Sequence, residues 1–200
     1  MWELNNTTNK KIDIFKLGDL MDAAIVNIAS NKSISKLSLQ KGIFFYLLSL
    51  SQREGYNFME IANLIDFEPY KLGPFSEFVD GEIETLEGYG YISVDRHNSS
   101  VLIKSNKKGL DNFKLDKNNM EIIKNVKFLV ETLDPMEITF FIYFNPNIYS
   151  SEDGGIRNFF TSNSEIKDKL EAKKEYYVKQ LLKKKVIDEN TANLILYGNN

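Results

Sequence analysis

Residue types that commonly carry enzyme chemistry are scarce in this chain. It contains no cysteine, and its single histidine, His97, lies in a polar stretch close to Asp95. A lone histidine has no second imidazole and no thiolate with which to share a transition metal. A His–Asp pair on an exposed turn also lacks the surroundings that tune a general acid or base. We therefore predict no catalytic residue, no metal site and no cofactor.

The most acidic stretch of the chain lies between Lys71 and Arg96, where no lysine or arginine interrupts it. Five of its carboxylates fall within residues 77–87, namely Glu77, Asp80, Glu82, Glu84 and Glu87. Affinity for DNA comes mainly from cations that neutralise phosphates, so this stretch is poorly suited to entering a DNA groove. Its carboxylates form either an ordinary solvated face or a docking surface for a basic partner.

Two groups of basic residues carry the opposite charge, although the net charge of −3 favours no partner class. One group follows the acidic stretch, and the other ends a lysine-rich segment, residues 167–185. These residues are either solvated charges or an anion-binding surface. If the chain binds nucleic acid, we expect the contacts to be Arg96, Lys104, Lys107, Lys183, Lys184 and Lys185. The lysine-rich segment also complements the acidic stretch, within one molecule or between two copies.

Apolar periodicity predicts three helices in the first third of the chain. Apolar residues at three- and four-residue spacing predict a helix over Leu17–Ile28. A second helix, apolar nearly all round, is predicted from Ser38, as its N-cap, to Arg53, with Gly55 closing its C-terminus. A short helix is predicted over Phe58–Leu64. The all-round apolar character of the second helix indicates that it lies in the centre of the fold.

Two prolines and a glycine interrupt the helical pattern after the third helix. We expect Phe67–Leu72 to be extended and to end in a tight turn at Gly73. A helix is then predicted over Pro74–Glu87, because the fixed φ of Pro74 suits a first helical position. This helix would carry the acidic stretch.

Alternating apolar and polar residues predict a β-hairpin next. Its strands would be Tyr91–Val94 and Val101–Ile103, with the turn at Asn98–Ser99. Two helices followed by a hairpin are typical of a winged helix, in which the hairpin is the wing. The helix before the wing is the one that enters DNA in such folds.

The remainder of the chain is predicted to be helical. An amphipathic stripe ends at Leu133, and Asp134-Pro135 breaks it before a very apolar segment, Met136–Phe144. A long helix is predicted over Ser164–Lys185, with Ser164 as its N-cap, and Asp188 caps a last short helix.

Together these elements predict a mainly α protein, with a winged-helix-like core, a small β-hairpin wing and a C-terminal helical extension. We expect a polar tail at residues 1–16, a winged-helix-like domain at 17–110, and a helical region at 111–200 packed on it. The first residues show no secretory signal, and no apolar run is long enough to cross a membrane. We therefore expect a cytoplasmic protein that does not bind membranes.

Three segments carry a family resemblance. They are Lys36–Phe45 (KLSLQKGIFF), Phe67–Ser76 (FEPYKLGPFS) and Leu86–Ile92 (LEGYGYI). In this order they resemble the YwgA-like proteins and the related SocA-type antitoxin (Panacea) domain. The resemblance covers residues 36–104 and extends loosely over 120–197. The chain departs from the pattern at Leu72, where an aromatic residue is usual, and at Gly42 inside a helix.

The resemblance implies a winged-helix-like core and a role in toxin neutralisation, phage defence or regulation. SocA-type proteins bind a partner protein, sometimes as an adaptor that delivers it for degradation. We therefore expect a non-enzymatic module with a protein partner, and with these contact candidates: Tyr70, Ser76, Glu77, Glu82 and Glu84. The alternative is a DNA-binding regulator that acts as a homodimer through the basic residues named above. A third class, a carboxylate-metal hydrolase, stays open.

Overall fold

The computed structural model describes residues 10–97, 100–148 and 164–198. Residues 1–9 of the predicted tail, the predicted turn at Asn98–Ser99 and the side chain of the predicted cap Ser164 lie outside the described part. Within it, the protein is mainly helical, with a three-stranded antiparallel sheet and a separate two-stranded hairpin.

The first helix, α1, covers Ile14–Ile28 and begins before the predicted Leu17. The carboxylate of Asp13 accepts hydrogen bonds from the backbone N–H groups of Phe15 and Lys16, at 2.9 and 3.1 Å. This cap sets the start of the helix. The predicted polar tail, 1–16, therefore extends too far, because apolar spacing does not register an exposed first turn.

Strand β1 (Ile34–Ser35), helix α2 (Lys36–Glu54) and helix α3 (Phe58–Leu64) follow. The prediction of Ser38 as the cap of α2 is wrong. The hydroxyl oxygen of Ser35 accepts the N–H of Ser38 at 3.0 Å, so α2 begins earlier. The C-terminus is confirmed, since Gly55 closes α2 in the left-handed conformation with φ 75°. Glycine adopts that conformation without a steric penalty because it has no Cβ atom.

The interrupted segment folds into a hairpin of β2 (Phe67–Tyr70) and β3 (Gly73–Ser76), and helix α4 (Glu77–Gly88) comes next. The prediction that Pro74 opens this helix is wrong. Pro74 lies in β3 opposite Pro69. A two-stranded hairpin tolerates this pair because each strand is an edge that needs no further N–H donor.

The predicted β-hairpin is confirmed, with longer strands than expected: β4 (Ile92–His97) and β5 (Ser100–Ser105). In its register Ile92 lies opposite Ser105. Strand β1 pairs antiparallel with the other edge of β5, with Ile34 opposite Ile103. The strand order is therefore β1-β5-β4, and the sheet joins the start of α2 to the end of α4.

Six further α-helices and a short 3-10 helix, Pro146–Ile148, complete the described chain. The predicted single helix over Ser164–Lys185 is wrong, because it divides at Ala172-Lys173, where no side chain caps the second part. The proline break is confirmed: Asp134 and Glu137 form a capping box. Asp188 caps the last helix as predicted. The helices are α5 Lys107–Asn112, α6 Lys117–Thr132, α7 Pro135–Phe144, α8 Ser164–Glu171, α9 Lys174–Lys183 and α10 Glu189–Tyr197.

Helix α2 occupies the centre of the fold, as its apolar composition predicts. It packs against α1, α6, α7 and β3, and one continuous buried cluster includes residues from both predicted regions. Gly42 permits the close approach of α6: a Cβ at this position would lie 2.9 Å from Val130 Cγ1. Among the described helices, none is both long enough and apolar enough to span a membrane.

Candidate interaction surface

A buried glutamine on α2 fixes the junction between β3 and α4. The Gln40 side chain is 1% exposed. Its amide nitrogen donates to the Ser76 carbonyl oxygen at 2.9 Å and to Asp80 Oδ1 at 2.7 Å, and its amide oxygen accepts the Ser76 N–H at 3.1 Å. The first two resemblance motifs therefore meet in space. Gln40 sets where α4 begins and how its first turns are oriented.

Ser76, predicted to contact a partner, is completely buried. Its hydroxyl donates to the Ile65 carbonyl oxygen at 2.5 Å and accepts the Val79 N–H at 3.2 Å. A side chain with no exposed surface cannot touch a partner in this conformation. The prediction is corrected: Ser76 is the N-cap of α4, and it positions the surface without belonging to it.

The turn of the β2–β3 hairpin rests on α7 and on a buried lysine. The Thr139 hydroxyl on α7 donates a hydrogen bond directed to the Leu72 and Pro135 carbonyl oxygens, at 3.0 and 2.8 Å. Gly73 has φ 100°, and a Cβ there would lie 2.6 Å from Thr139 Oγ1 and 3.3 Å from Lys41 Cε. Glycine is therefore required both by the backbone conformation and by the close approach.

Lys41 is 1% exposed, which is rare for a lysine. Burial lowers its pKa to about 8. No charged group in the described part of the chain opposes this shift. An ammonium group in such surroundings is costly to keep charged.

The outward face of the hairpin is apolar and solvent-accessible. Tyr70 is 52% exposed, and its ring lies 5.6 Å from the ring of the half-buried Phe75. Leu72 at the turn and Phe78 in the first turn of α4 are each 42% exposed. We call these four residues the hairpin face. Exposed aromatic residues on a rigid support are the type of side chain that anchors protein interfaces.

The acidic stretch divides into paired and unpaired carboxylates. Lys36 Nζ contacts Asp80 Oδ2 at 2.7 Å. The two guanidinium nitrogens of Arg96 donate to the two oxygens of Glu87 at 2.7 and 2.5 Å. Within the described part of the chain, no cation forms an ion pair with the remaining three, which are Glu77, Glu82 and Glu84.

Glu82 meets a second carboxyl group, that of Asp22 on α1. Burial and the nearby Glu82 raise the pKa of Asp22 to about 7. The Asp22 Oδ1 atom is buried and has no hydrogen-bond partner in the described part of the chain. Burial and a like charge nearby both disfavour the ionised form of a carboxyl group. The predicted contact residue Glu82 is therefore partly an internal residue that joins α1 to α4, whereas Glu77 and Glu84 are exposed.

The residues named for the nucleic-acid alternative do not form one free basic surface. Arg96 is held by Glu87, and Lys184 contacts the buried Glu137 at 2.5 Å. The other four are exposed, without an ion pair to any described residue, and they lie in two separate parts of the chain: Lys104 and Lys107, then Lys183 and Lys185.

His97 is 87% exposed, and its Nε2 lies 3.3 Å from Asp95 Oδ1. Among the described residues, no three His, Asp or Glu side chains are grouped to hold a metal ion. The described part of this surface thus offers charged and apolar side chains.

Sequence reasoning did not identify Gln40 and Lys41 as the residues beneath the surface. A signal was present: these two adjacent polar side chains lie between Leu39 and the apolar run Ile43–Leu48. Buried polar side chains are retained where they make specific hydrogen bonds, so this interruption indicates a long-range partner.

No protein-family model, curated protein or solved structure matches the chain.

Proposed function

We propose that the chain is a non-enzymatic protein-interaction module with a winged-helix-like core, similar to SocA-type antitoxins and YwgA-like proteins. Its contact surface would be the hairpin face together with Glu77 and Glu84 on α4. The partner would be a toxin or a defence component that presents basic and apolar groups. The single observation that carries the proposal is the unbalanced negative charge of α4 beside exposed aromatic residues.

The topology supports the winged-helix part of the proposal. Helix α4 runs directly into the β4–β5 hairpin, and β1, located between α1 and α2, pairs with β5. The helix before the wing, the wing and a third strand are thus present in the order expected for that fold. Helix α3 and the β2–β3 hairpin are inserted before α4, and they carry most of the hairpin face.

Electrostatics favour a protein partner over DNA. In a DNA-binding winged helix, α4 would have to approach phosphates, but its solvent side presents Glu77 and Glu84. Arg96, the arginine of the wing, is already paired with Glu87. A basic protein surface matches this face, and apolar side chains of a partner match Tyr70 and Leu72.

Affinity capture from the native host tests the proposal. The tagged wild-type chain should retain one neighbour-encoded protein at a fixed stoichiometry, identified by mass spectrometry. The double variant Glu77→Lys/Glu84→Lys should lose it. Asp111→Lys, which reverses an exposed charge on α5, is the matched control and should retain it.

A gel-shift titration supplies the opposing outcome. Salt-dependent binding of an operator fragment that is unchanged by Glu77→Lys/Glu84→Lys but lost in Lys183→Ala/Lys185→Ala would overturn the proposal in favour of the DNA-binding regulator.

A further inference from the structure

The solvent side of α4 has a composition that its own fold does not explain. Glu77, Gly81 and Glu84 lie on one exposed stripe, opposite the buried Val79 and Ile83. A Cβ at Gly81 would meet nothing within 4 Å. Glycine in the middle of a helix costs about 1 kcal/mol relative to alanine. No described residue of this chain therefore requires glycine at position 81.

Helix α9 presents a stripe of the same length and the opposite charge. Tyr176, Lys179 and Lys183 lie on its exposed side, opposite the buried Tyr177 and Leu181. Tyr176 is 56% exposed. Each stripe covers eight residues of helix, and its first and last Cα atoms are about 10 Å apart along the helix axis. Among the described residues, no ion pair engages Lys179 or Lys183, including the helix-spaced pair with Glu175 that the sequence suggests.

The two stripes do not neutralise each other within one molecule. Helix α9 packs on α7 and α10, whereas α4 packs on α1 and β4. The ion pairs of the described residues join α4 to α2 and to the wing, and join the end of α9 to α7; none joins α4 to α9. Among the described residues, the charge of each stripe is therefore not balanced by the other stripe of the same molecule.

We infer that a second copy of this chain docks the Tyr176–Lys183 stripe of its α9 on the Glu77–Glu84 stripe of α4. Gly81 lets the incoming helix approach closely between the two carboxylates, and Lys179 and Lys183 lie against them. Because each copy carries both stripes, a two-fold arrangement forms the contact twice and closes the assembly as a dimer. The dimer covers part of the surface that we propose for the protein partner, so self-association and partner binding compete.

Sedimentation velocity with charge-reversed variants tests the dimer. The wild-type chain should be dimeric at about 50 mM salt and dissociate at about 500 mM, because exposed charges are then screened. An acid-reversed variant (Glu77→Lys/Glu84→Lys) and a base-reversed variant (Lys179→Glu/Lys183→Glu) should each be monomeric. Their equimolar mixture should restore the dimer, since both contacts of the mixed pair become complementary. The control Asp111→Lys should behave as wild type.

A neutral variant keeps the test decisive if a charge reversal unfolds the chain. Gly81→Gln adds a good helix former and leaves every charge in place, so it should raise thermal stability and weaken dimerisation about tenfold or more. A monomeric wild-type chain at low salt, a mixture that stays monomeric, or a Gly81→Gln variant that dimerises as tightly as wild type overturns the inference.

The same variants separate this inference from the proposed function. The base-reversed variant should lose self-association and still capture the partner, because it leaves α4 and the hairpin face unchanged. If the wild type dimerises as expected and the monomeric base-reversed variant, whose α4 surface is free, still captures no partner, the proposed function alone would be refuted.

Discussion

Replacing Lys41 by methionine measures what a buried ammonium group costs this fold. Methionine has a similar length and carries no charge. Burial lowers the pKa of Lys41 from 10.5 to about 8. One pKa unit corresponds to about 1.36 kcal/mol, so the charged lysine destabilises the folded state by about 3 kcal/mol at pH 7. Lys41→Met should recover about 1–3 kcal/mol of that, the remainder going to imperfect repacking.

The pH dependence of stability distinguishes the cost of burying the charged Lys41 from a change in packing, which would not vary with pH. The folded protein releases the Lys41 proton at a lower pH than the unfolded chain does. Burial of Lys41 therefore costs the folded state nothing above pH 10.5, and the free energy of unfolding decreases as the pH falls from there to about 8. Between pH 7 and pH 9.5 the wild-type free energy of unfolding should rise by about 2 kcal/mol from this group. Lys41→Met should lack this rise.

Urea unfolding at pH 7 and pH 9.5 provides the assay, with Lys124→Met, an exposed lysine of α6, as the matched control. The upper limit of pH 9.5 avoids the ionisation of tyrosine. Burial raises the pKa of Tyr46 and of Tyr143, so the free energy of unfolding falls once the tyrosines of the unfolded chain ionise. A Lys41→Met variant that is less stable than wild type at pH 7, with an unchanged pH slope, would show that the ammonium makes a favourable contact and that the reasoning is wrong.

Three further substitutions probe the support beneath the surface, each followed by chemical denaturation. Asp22→Asn should stabilise the fold above pH 7 and have little effect near pH 4, because the raised pKa of Asp22 means that stability is lost as the pH rises towards about 7. An equal effect at both pH values would contradict the raised pKa. Gly73→Ala should cost about 2–4 kcal/mol through its positive φ and the contact with Thr139, and a neutral result would refute the geometry of the turn. Gln40→Ala removes three hydrogen bonds and should cost about 2–4 kcal/mol, whereas an exposed Gln52→Ala should cost much less.

The helices that apolar spacing marks strongly were predictable from the sequence. The stripe in Leu17–Ile28 and the short helix Phe58–Leu64 depend on neighbours three or four residues away, and the structure confirms both. The alternation of apolar and polar residues predicts the β4–β5 hairpin in the same way. Each of these patterns is local, so one chain suffices to read it.

The boundaries and the supports of the surface were not predictable, because they depend on contacts distant in sequence. Ser35 and Ser38 are equally plausible caps until β1 pairs with β5 and fixes the backbone before α2. Pro74 satisfies the rule for a first helical position and equally the rule for an edge strand. The hydrogen bonds of Gln40 to Ser76, 36 residues away, decide between these two, and no local pattern contains them.

The number of carboxylates in the sequence of α4 is larger than the number that is left without an ion pair in the structure. The sequence contains five carboxylates on this helix, and the structure supplies Lys36 for one and Arg96 for another. An exposed ion pair such as Arg96–Glu87 is weak, so the pairing alone would not prevent the wing from turning to a phosphate. The obstacle is the surplus that remains: any phosphate that Arg96 reached would lie beside Glu84, whose charge also acts on Arg96. A cationic partner meets no such repulsion, whether it is a foreign protein or the lysine stripe of a second copy. The unpaired negative charge on α4 therefore favours a cationic partner over a phosphate backbone.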